Sequence, residues 1–298
     1  MQKSIKKIIT VLILLSLAAG LCAKSKKTII KKIKRDVIST KVETISSIVV
    51  LSPDAAEILT GMNADDLITA ISEDSNVWGE ENAKSVILDG EEDLENILSY
   101  KPDLVFLTEG KHRALEIALD ERDVNWYEFD AWSIQKLEDQ ITEIGEMLGH
   151  ETEALAIVTS MEEQLEEVRQ AVKEYYEAPD APAPVTFFYE ESDDPLSTIG
   201  TRSFMHDLIT NAGARNVFSN IHTANATIDP EFVIMQNPEV ILVPAANGTT
   251  AEEIKAREGW QNISAVVNDR ILIIDTSEYG KKSPSCIDAI YNLFELLK

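Results

Sequence analysis

Asp93-Leu94-Glu95-Asn96-Ile97-Leu98-Ser99-Tyr100-Lys101-Pro102-Asp103-Leu104-Val105-Phe106-Leu107 and Asp229-Pro230-Glu231-Phe232-Val233-Ile234-Met235-Gln236-Asn237-Pro238-Glu239-Val240-Ile241-Leu242-Val243 are one pattern written twice, 136 positions apart. In constant register both read Asp, any residue, Glu, an apolar pair, a short polar stretch, Pro, an acid and an apolar run. The leading Asp suits a helix N-cap, because its carboxylate can accept from an unpaired N–H of the first turn. The proline ends the helix, since the residue before it is pushed toward extended backbone. The apolar run that follows has the length of a short buried strand. Solenoid repeats recur every ~20–50 residues. One recurrence at this spacing predicts instead two similarly built α/β lobes, and two lobes make a cleft.

Outward from the first copy the chain alternates strand, loop and helix. Ile48-Val49-Val50-Leu51 is a β-branched strand, Ser52 or Asp54 can cap the helix that follows, and Pro53 suits its first turn. Leu67–Ile71, Leu104–Leu107 and Trp126–Phe129 read as further strands. Such alternation favours a largely parallel sheet covered by helices. Glu151 to Glu177 contains neither Gly nor Pro, and Leu155, Val158, Met161, Leu165, Val168 and Val172 recur at helical steps. That is one helix about 40 Å long, stopped by Pro179, Pro182 and Pro184. The second lobe opens with the strand Val185–Tyr189, followed by a helix Ser203–Asn211 closed by Gly213. After the second copy come a helix from Thr250, a strand Arg270–Ile274 and a last helix from Pro284. The expected fold is α/β: two similar lobes with central, largely parallel sheets, at 46–148 and 179–298, joined by one long helix at 149–178, with the ligand cleft between them.

The two ends of the sequence differ in chemistry. Lys3, Lys6 and Lys7 precede an apolar run from Ile8 to Leu21, which falls short of the ~20 residues that cross a bilayer. Residues 1–23 therefore read as a secretory signal peptide. Cys22 could accept a lipid, but Leu21 stands where a lipoprotein signal wants a small residue, so cleavage after Ala23 is expected and a lipid anchor is the alternative. The expected location is the periplasm or extracytoplasmic surface. Residues 24–45 read as a leading strand or hairpin. Cys286 would then stand alone, without a disulfide. Residues 1–35 carry ten Lys and Arg and no acids, leaving 17 basic against 52 acidic residues beyond them, a net of −35. A body so acidic argues against nucleic acid or anionic lipid as partner, while it suits docking on a basic protein surface.

From Ile48 to the C-terminus the sequence resembles the substrate-binding proteins of bacterial ABC importers for ferric siderophores, haem and vitamin B12. The resemblance rests on Ile48–Pro53 with Glu57-Ile58-Leu59, Leu94-Glu95 with Lys101–Val105, Gly200 with Ser203-Phe204 and Leu208, Ala212-Gly213 with Asn216-Val217, and Asn237–Leu242. It implies two lobes on one long helix, a shallow cleft for a metal chelate, and delivery to a permease with its ATPase. It also implies that Glu95 and Glu231, one per lobe, meet arginines of the permease; two separated charge-assisted contacts would fix orientation. Either glutamate would equally suit the first turn of a helix, where the dipole favours an acid. The sequence departs from many relatives at Glu73–Gly79, which lacks an aromatic-proline-proline segment.

Ligands of open α/β sheets contact the loops at the carboxyl ends of strands. Here those loops carry Trp78, Lys111, His112, Arg113, Trp132, Arg202, His222, Tyr279, Lys281 and Lys282, with Tyr189 ending a strand. The basic groups suit an anionic chelate and the aromatics its flat faces. Ferric siderophore is the leading expectation, with cobalamin or haem as alternatives and a ligand-free scaffold or adhesin as another. Four scattered histidines do not make the three or four convergent ligands of direct metal capture, so no cofactor is expected. Nucleotide-binding glycine motifs, Gly-x-Ser-x-Gly and His-Glu-x-x-His are all absent. The expectation is a monomeric binding protein and not an enzyme.

Overall fold

The computed structural model describes residues 45–75, 86–88 and 94–298. The expected signal segment, Cys22, Trp78 and all but the last residue of the 24–45 segment lie outside these.

Five strands form the first sheet: β1 (Ile48–Leu51), β2 (Ile68–Ser72), β3 (Val86–Leu88), β4 (Leu104–Thr108) and β5 (Asn125–Phe129), in the order β3-β2-β1-β4-β5. β1 runs parallel to both β2 and β4, and β2 parallel to β3. Every residue of β1 is fully buried, as are Leu104–Leu107 of β4. Cover on both faces explains why these strands read as unbroken apolar runs rather than alternating ones. Helices α1 (Pro53–Gly61), α2 (Leu94–Ser99) and α3 (Arg113–Glu121) are interleaved with them.

The second sheet holds β6 (Thr186–Asp193), β7 (Leu196–Ile199), β8 (Arg215–Asn216), β9 (Asn225–Thr227), β10 (Val240–Pro244) and β11 (Ile271–Ile274). β8, β6, β10 and β11 are parallel, but β7 is antiparallel to β6 and to β9. The sequence predicts a strand that ends at Tyr189. The strand instead continues to Asp193 and turns back, with buried Leu196, Thr198 and Ile199 on the return. The remaining helices are α4 (Ile134–Leu148), α5 (Glu151–Glu177), α6 (Phe204–Asn211), α7 (Pro230–Gln236), α8 (Ala251–Ala256), α9 (Ser264–Val267), α10 (Thr276–Tyr279) and α11 (Cys286–Leu297). Cys286 is free and buried.

The two copies of the pattern share the turn from helix to strand and the ties that follow it, while Asp93, the expected cap of the first copy, lies outside the described residues. Asp229 caps α7 by accepting from Glu231 N at 2.9 Å. Ile97 and Val233, in matching register, are both fully buried. Lys101 and Asn237, the residues before the two prolines, take left-handed backbone, with φ of 51° and 46°, instead of the extended backbone expected there, and so reverse the chain into the next strand. Asp103 N then donates to Ser47 O and Glu239 N to Thr186 O. The two acids answer with their carboxylates: Asp103 accepts from Ser46 N and Ser47 N, Glu239 from Thr186 N. Each ties the start of a parallel neighbour strand to its own.

Two compact units result. The first takes described residues up to Pro53, Ala64–Glu128 and Glu146–Gly149; the second takes Asp54–Asn63, Phe129–Gly145 and His150–Lys298. Residues of α1, α4 and α5 thus belong with the second sheet's unit. The expected buried stripe of α5 shifts in its first turns. Leu155 is 66% exposed while Ala154 is buried, because a Cβ on Gly145 would collide with that of Ala154. Two small residues let α4 and α5 approach there, and the leucine is turned outward. Among the described residues no helix is long and apolar enough to cross a membrane.

Candidate functional site

In the first unit, β2 leads into a short turn, Glu73–Ser75. Asp74 there accepts from Ser72 Oγ at 2.6 Å and pairs with Lys111 Nζ at 3.0 Å. Partial burial would raise the Asp74 carboxyl, but hydrogen bonds from Ser72, Lys111 and Ser75 hold it below the usual range. Arg113 pairs at 2.6 Å with Glu116, whose side chain is almost wholly buried, and His112 is buried as well. Lys111 and Arg113 therefore each meet an acid of their own unit. The positive spot expected from them is largely offset.

The second unit brings expected residues together. The Arg202 guanidinium lies 5.4 Å from the centre of the Trp132 ring, and Trp132 is 41% exposed. Arg202 is carried by a segment running against 221–224: Gly200 N donates to Ala224 O, Thr201 N to Ile221 O and Arg202 N to Thr223 O. A Cβ on Gly200 would sit 2.6 Å from Ile221 O, so only glycine allows this approach. Across the same seam Thr201 Oγ1 lies 3.2 Å from His222 Nδ1, and His222 is exposed. Trp132 is positioned by the start of α4, where Asp207 Oδ2 accepts from Ile134 N at 2.7 Å and Ser133 Oγ from Lys136 N at 3.1 Å.

Other strand-end loops of the second unit are tied down as well. Asn247 Nδ2 donates to Glu191 O at 3.0 Å, fixing the loop after β10. Lys282 N donates to Asp54 Oδ1, so Asp54 holds the segment after α10 and does not cap α1. Burial lifts the Asp54 carboxyl despite the opposing Lys282 contacts. Lys281 is exposed, Tyr279 half-buried. Tyr189 is buried, which raises its phenol and takes its ring off the surface. Trp260 is core, and Trp126 donates to Asp120 at 3.0 Å. Two polar atoms escaped the sequence reading: Asp130 Oδ1 and Thr249 Oγ1 are buried without a hydrogen-bond partner among the described residues. Such atoms cost about 1–3 kcal/mol each, and no sequence motif marks them. Among the described residues no three His, Cys, Asp or Glu gather as metal ligands.

Glu95 and Glu231 are both exposed, each in the first turn of its helix. Glu95 lies 3.3 Å from Arg122 across the surface, a contact worth little in water.

The site presents a partly exposed indole beside a guanidinium, on a segment whose close approach depends on Gly200. The chain belongs to the periplasmic binding protein family, whose model matches residues 48–278. That family consists of transport components and not of enzymes. The chain is 26% identical over 253 residues to YvrC, an uncharacterized ABC transporter substrate-binding lipoprotein of Bacillus subtilis, covering 83% of this chain and 78% of YvrC. It is 23% identical over 258 residues to the vitamin B12-binding protein of Vibrio cholerae, covering 84% and 88%. The fold superposes with a TM-score of 0.74 on a possible iron-binding, periplasmic solute-binding protein of Staphylococcus epidermidis, at 23% identity and covering 85% of this chain and 99% of that one.

Proposed function

We propose that this protein, outside the cytoplasm, captures a metal chelate of the tetrapyrrole type, cobalamin foremost, and passes it to an ABC permease. The observation that carries the reading is the Trp132–Arg202 pair. A partly exposed indole offers a face for a flat macrocycle, and the cation beside it can meet a peripheral carbonyl or carboxylate. The offset charges of Lys111 and Arg113 favour a ligand of low net charge over a strongly anionic siderophore. The vitamin B12-binding relatives support the same choice. Glu95 and Glu231 are the groups proposed to orient the protein on the permease, since matching repeats display both. Exposed His222 keeps haem as a second reading.

The test is a tryptophan-quenching titration with cyanocobalamin, haemin and an anionic ferric tris-catecholate, ferric enterobactin, at low and high salt. Cobalamin binding that ignores salt and weakens about tenfold or more in Trp132→Ala is the expected result. Tight ferric enterobactin binding that collapses with salt would replace this reading with the anionic one.

A further inference from the structure

The two copies of the repeated pattern share a framework but differ in what they show to solvent. In α7 the inward side is Val233, fully buried, with Ile234 packed so that a Cβ on Gly259 would come within 2.9 Å of it. Phe232 and Met235, one helical turn apart, point the other way and are 53% and 75% exposed. They flank Glu231, whose backbone N–H is held by the Asp229 cap. The first copy has Asn96 and Ser99 at the same two register positions, with Ser99 Oγ bonded back to Asn96 O.

Packing of its own unit does not account for so much exposed phenylalanine and methionine on a seven-residue helix. Exposed pairs of this kind mark contact surfaces, and aromatic residues and methionine are enriched at such surfaces. The place narrows the occupant. α7 leads through the Asn237 turn straight into β10, and a chain reversed by that turn sets the start of α7 level with the carboxyl end of β10. The loop Ala245–Thr249 leaves from that end. A partner receiving ligand from those loops meets Glu231 and Phe232 first.

We infer that Phe232 and Met235 form an apolar docking patch for the permease, present on the second unit alone, beside the charge of Glu231. The surface it fits is an apolar hollow rimmed by basic side chains. This rests on the proposed delivery to a permease and adds a division of labour. Glu95 and Glu231 supply matching charges, while the second copy also supplies apolar contact, so the two repeats are not interchangeable on the partner.

The test replaces each residue by its counterpart in the first copy, Phe232→Asn with Met235→Ser, in the full chain. Both positions are exposed, so folding is spared, which circular dichroism checks. The readout is stimulation of the ATPase of the permease–ATPase complex, purified from the same cells, identified by its sequence and reconstituted in nanodiscs. The half-saturating concentration of the double variant should rise roughly tenfold or more, with cyanocobalamin affinity unchanged. The reverse graft, Asn96→Phe with Ser99→Met, should not restore it. If Glu231→Ala and Glu95→Ala abolish stimulation while the double variant is normal, delivery stands and the apolar patch is refuted. If none of the four changes matters, the docking reading itself falls. A wild-type dimer in sedimentation that the double variant loses would assign the patch to a second copy of this chain and overturn the inference.

Discussion

Arg257→Ala should cost more than any surface change in this protein. Glu190 pairs with Thr198 across β6 and β7 and has a side chain wholly shut off from water, and Arg257 meets it with two nitrogens at 2.5 and 2.9 Å. The same guanidinium lies 4.7 Å from the centre of the buried Trp260 ring. Removing it leaves a carboxylate in an apolar surround without its counter-ion, a loss of about 3–5 kcal/mol. With urea slopes of roughly 1–3 kcal/mol per molar for small proteins, the midpoint of the transition should fall by about 1 M or more. Glu190→Gln combined with Arg257→Met, which removes both charges and keeps volume, should recover most of the loss. Urea titrations followed by tryptophan fluorescence measure all three. A loss under about 1 kcal/mol in Arg257→Ala, or a double variant as weak as the single one, would refute the idea that the uncompensated buried charge dominates.

Gly200→Ala should destabilise the protein by about 1–3 kcal/mol, since the new methyl meets the backbone oxygens of Ile221 and Thr223 and neither can yield cheaply; thermal melting checks it, and a neutral result would mean the 221–224 segment is free to shift. The Glu138 carboxyl is raised above the usual glutamate value by burial and then by Glu162, against Arg169. Its contribution is therefore complete below the unfolded value and lost as pH rises through the folded one, so Glu138→Gln should melt higher than the wild type at pH 7, with the gap closing toward about pH 4. Asp103→Ala and Glu239→Ala should cost similar amounts, about 1–2 kcal/mol, by chemical denaturation, and one near zero would refute their shared role. The Asp103 carboxyl is held low chiefly by the Ser46 N–H, so its share of stability is present above the usual aspartate value and fades as pH falls through the lowered one.

Much of the framework could be read from the chain because backbone geometry there depends on neighbours in sequence. Asp229, Pro238 and the apolar runs announce cap, stop and strand, and α5 spans Glu151–Glu177 as its lack of Gly and Pro indicates. What failed needed partners far along the chain. The strand β7 hides in Leu196–Ile199, four residues whose pairing to Glu190 and Thr227 no local pattern reveals. The outward turn of Leu155 depends on Gly145 in another helix. At the site, residue type suggested Trp132 and Arg202, but only the fold shows that they stack. Lys111 looked available until Asp74, 37 positions earlier, was found beside it.

The repeated pattern shows where a duplicated framework tolerates change. Ser47 and Thr186 occupy the same place, receiving a backbone N–H from the acid after the proline and returning their own to its carboxylate. Asp103, the shorter acid, reaches Ser46 as well as Ser47, while Glu239 reaches the N–H and hydroxyl of Thr186. The methylene that separates them is absorbed because one carboxylate oxygen near the strand start accepts all of these bonds, and either acid can place one there. Buried positions are held as tightly: Ile97 and Val233 fill equivalent core. The copies differ beside it, where half-buried Asn96 aligns with exposed Phe232 and Ser99 aligns with Met235. The same holds for the strand-end loops, in which one unit offsets its cations with acids and the other stacks its arginine on an indole. The two units thus share the inward framework of the repeated pattern and differ in their outward residues and strand-end loops.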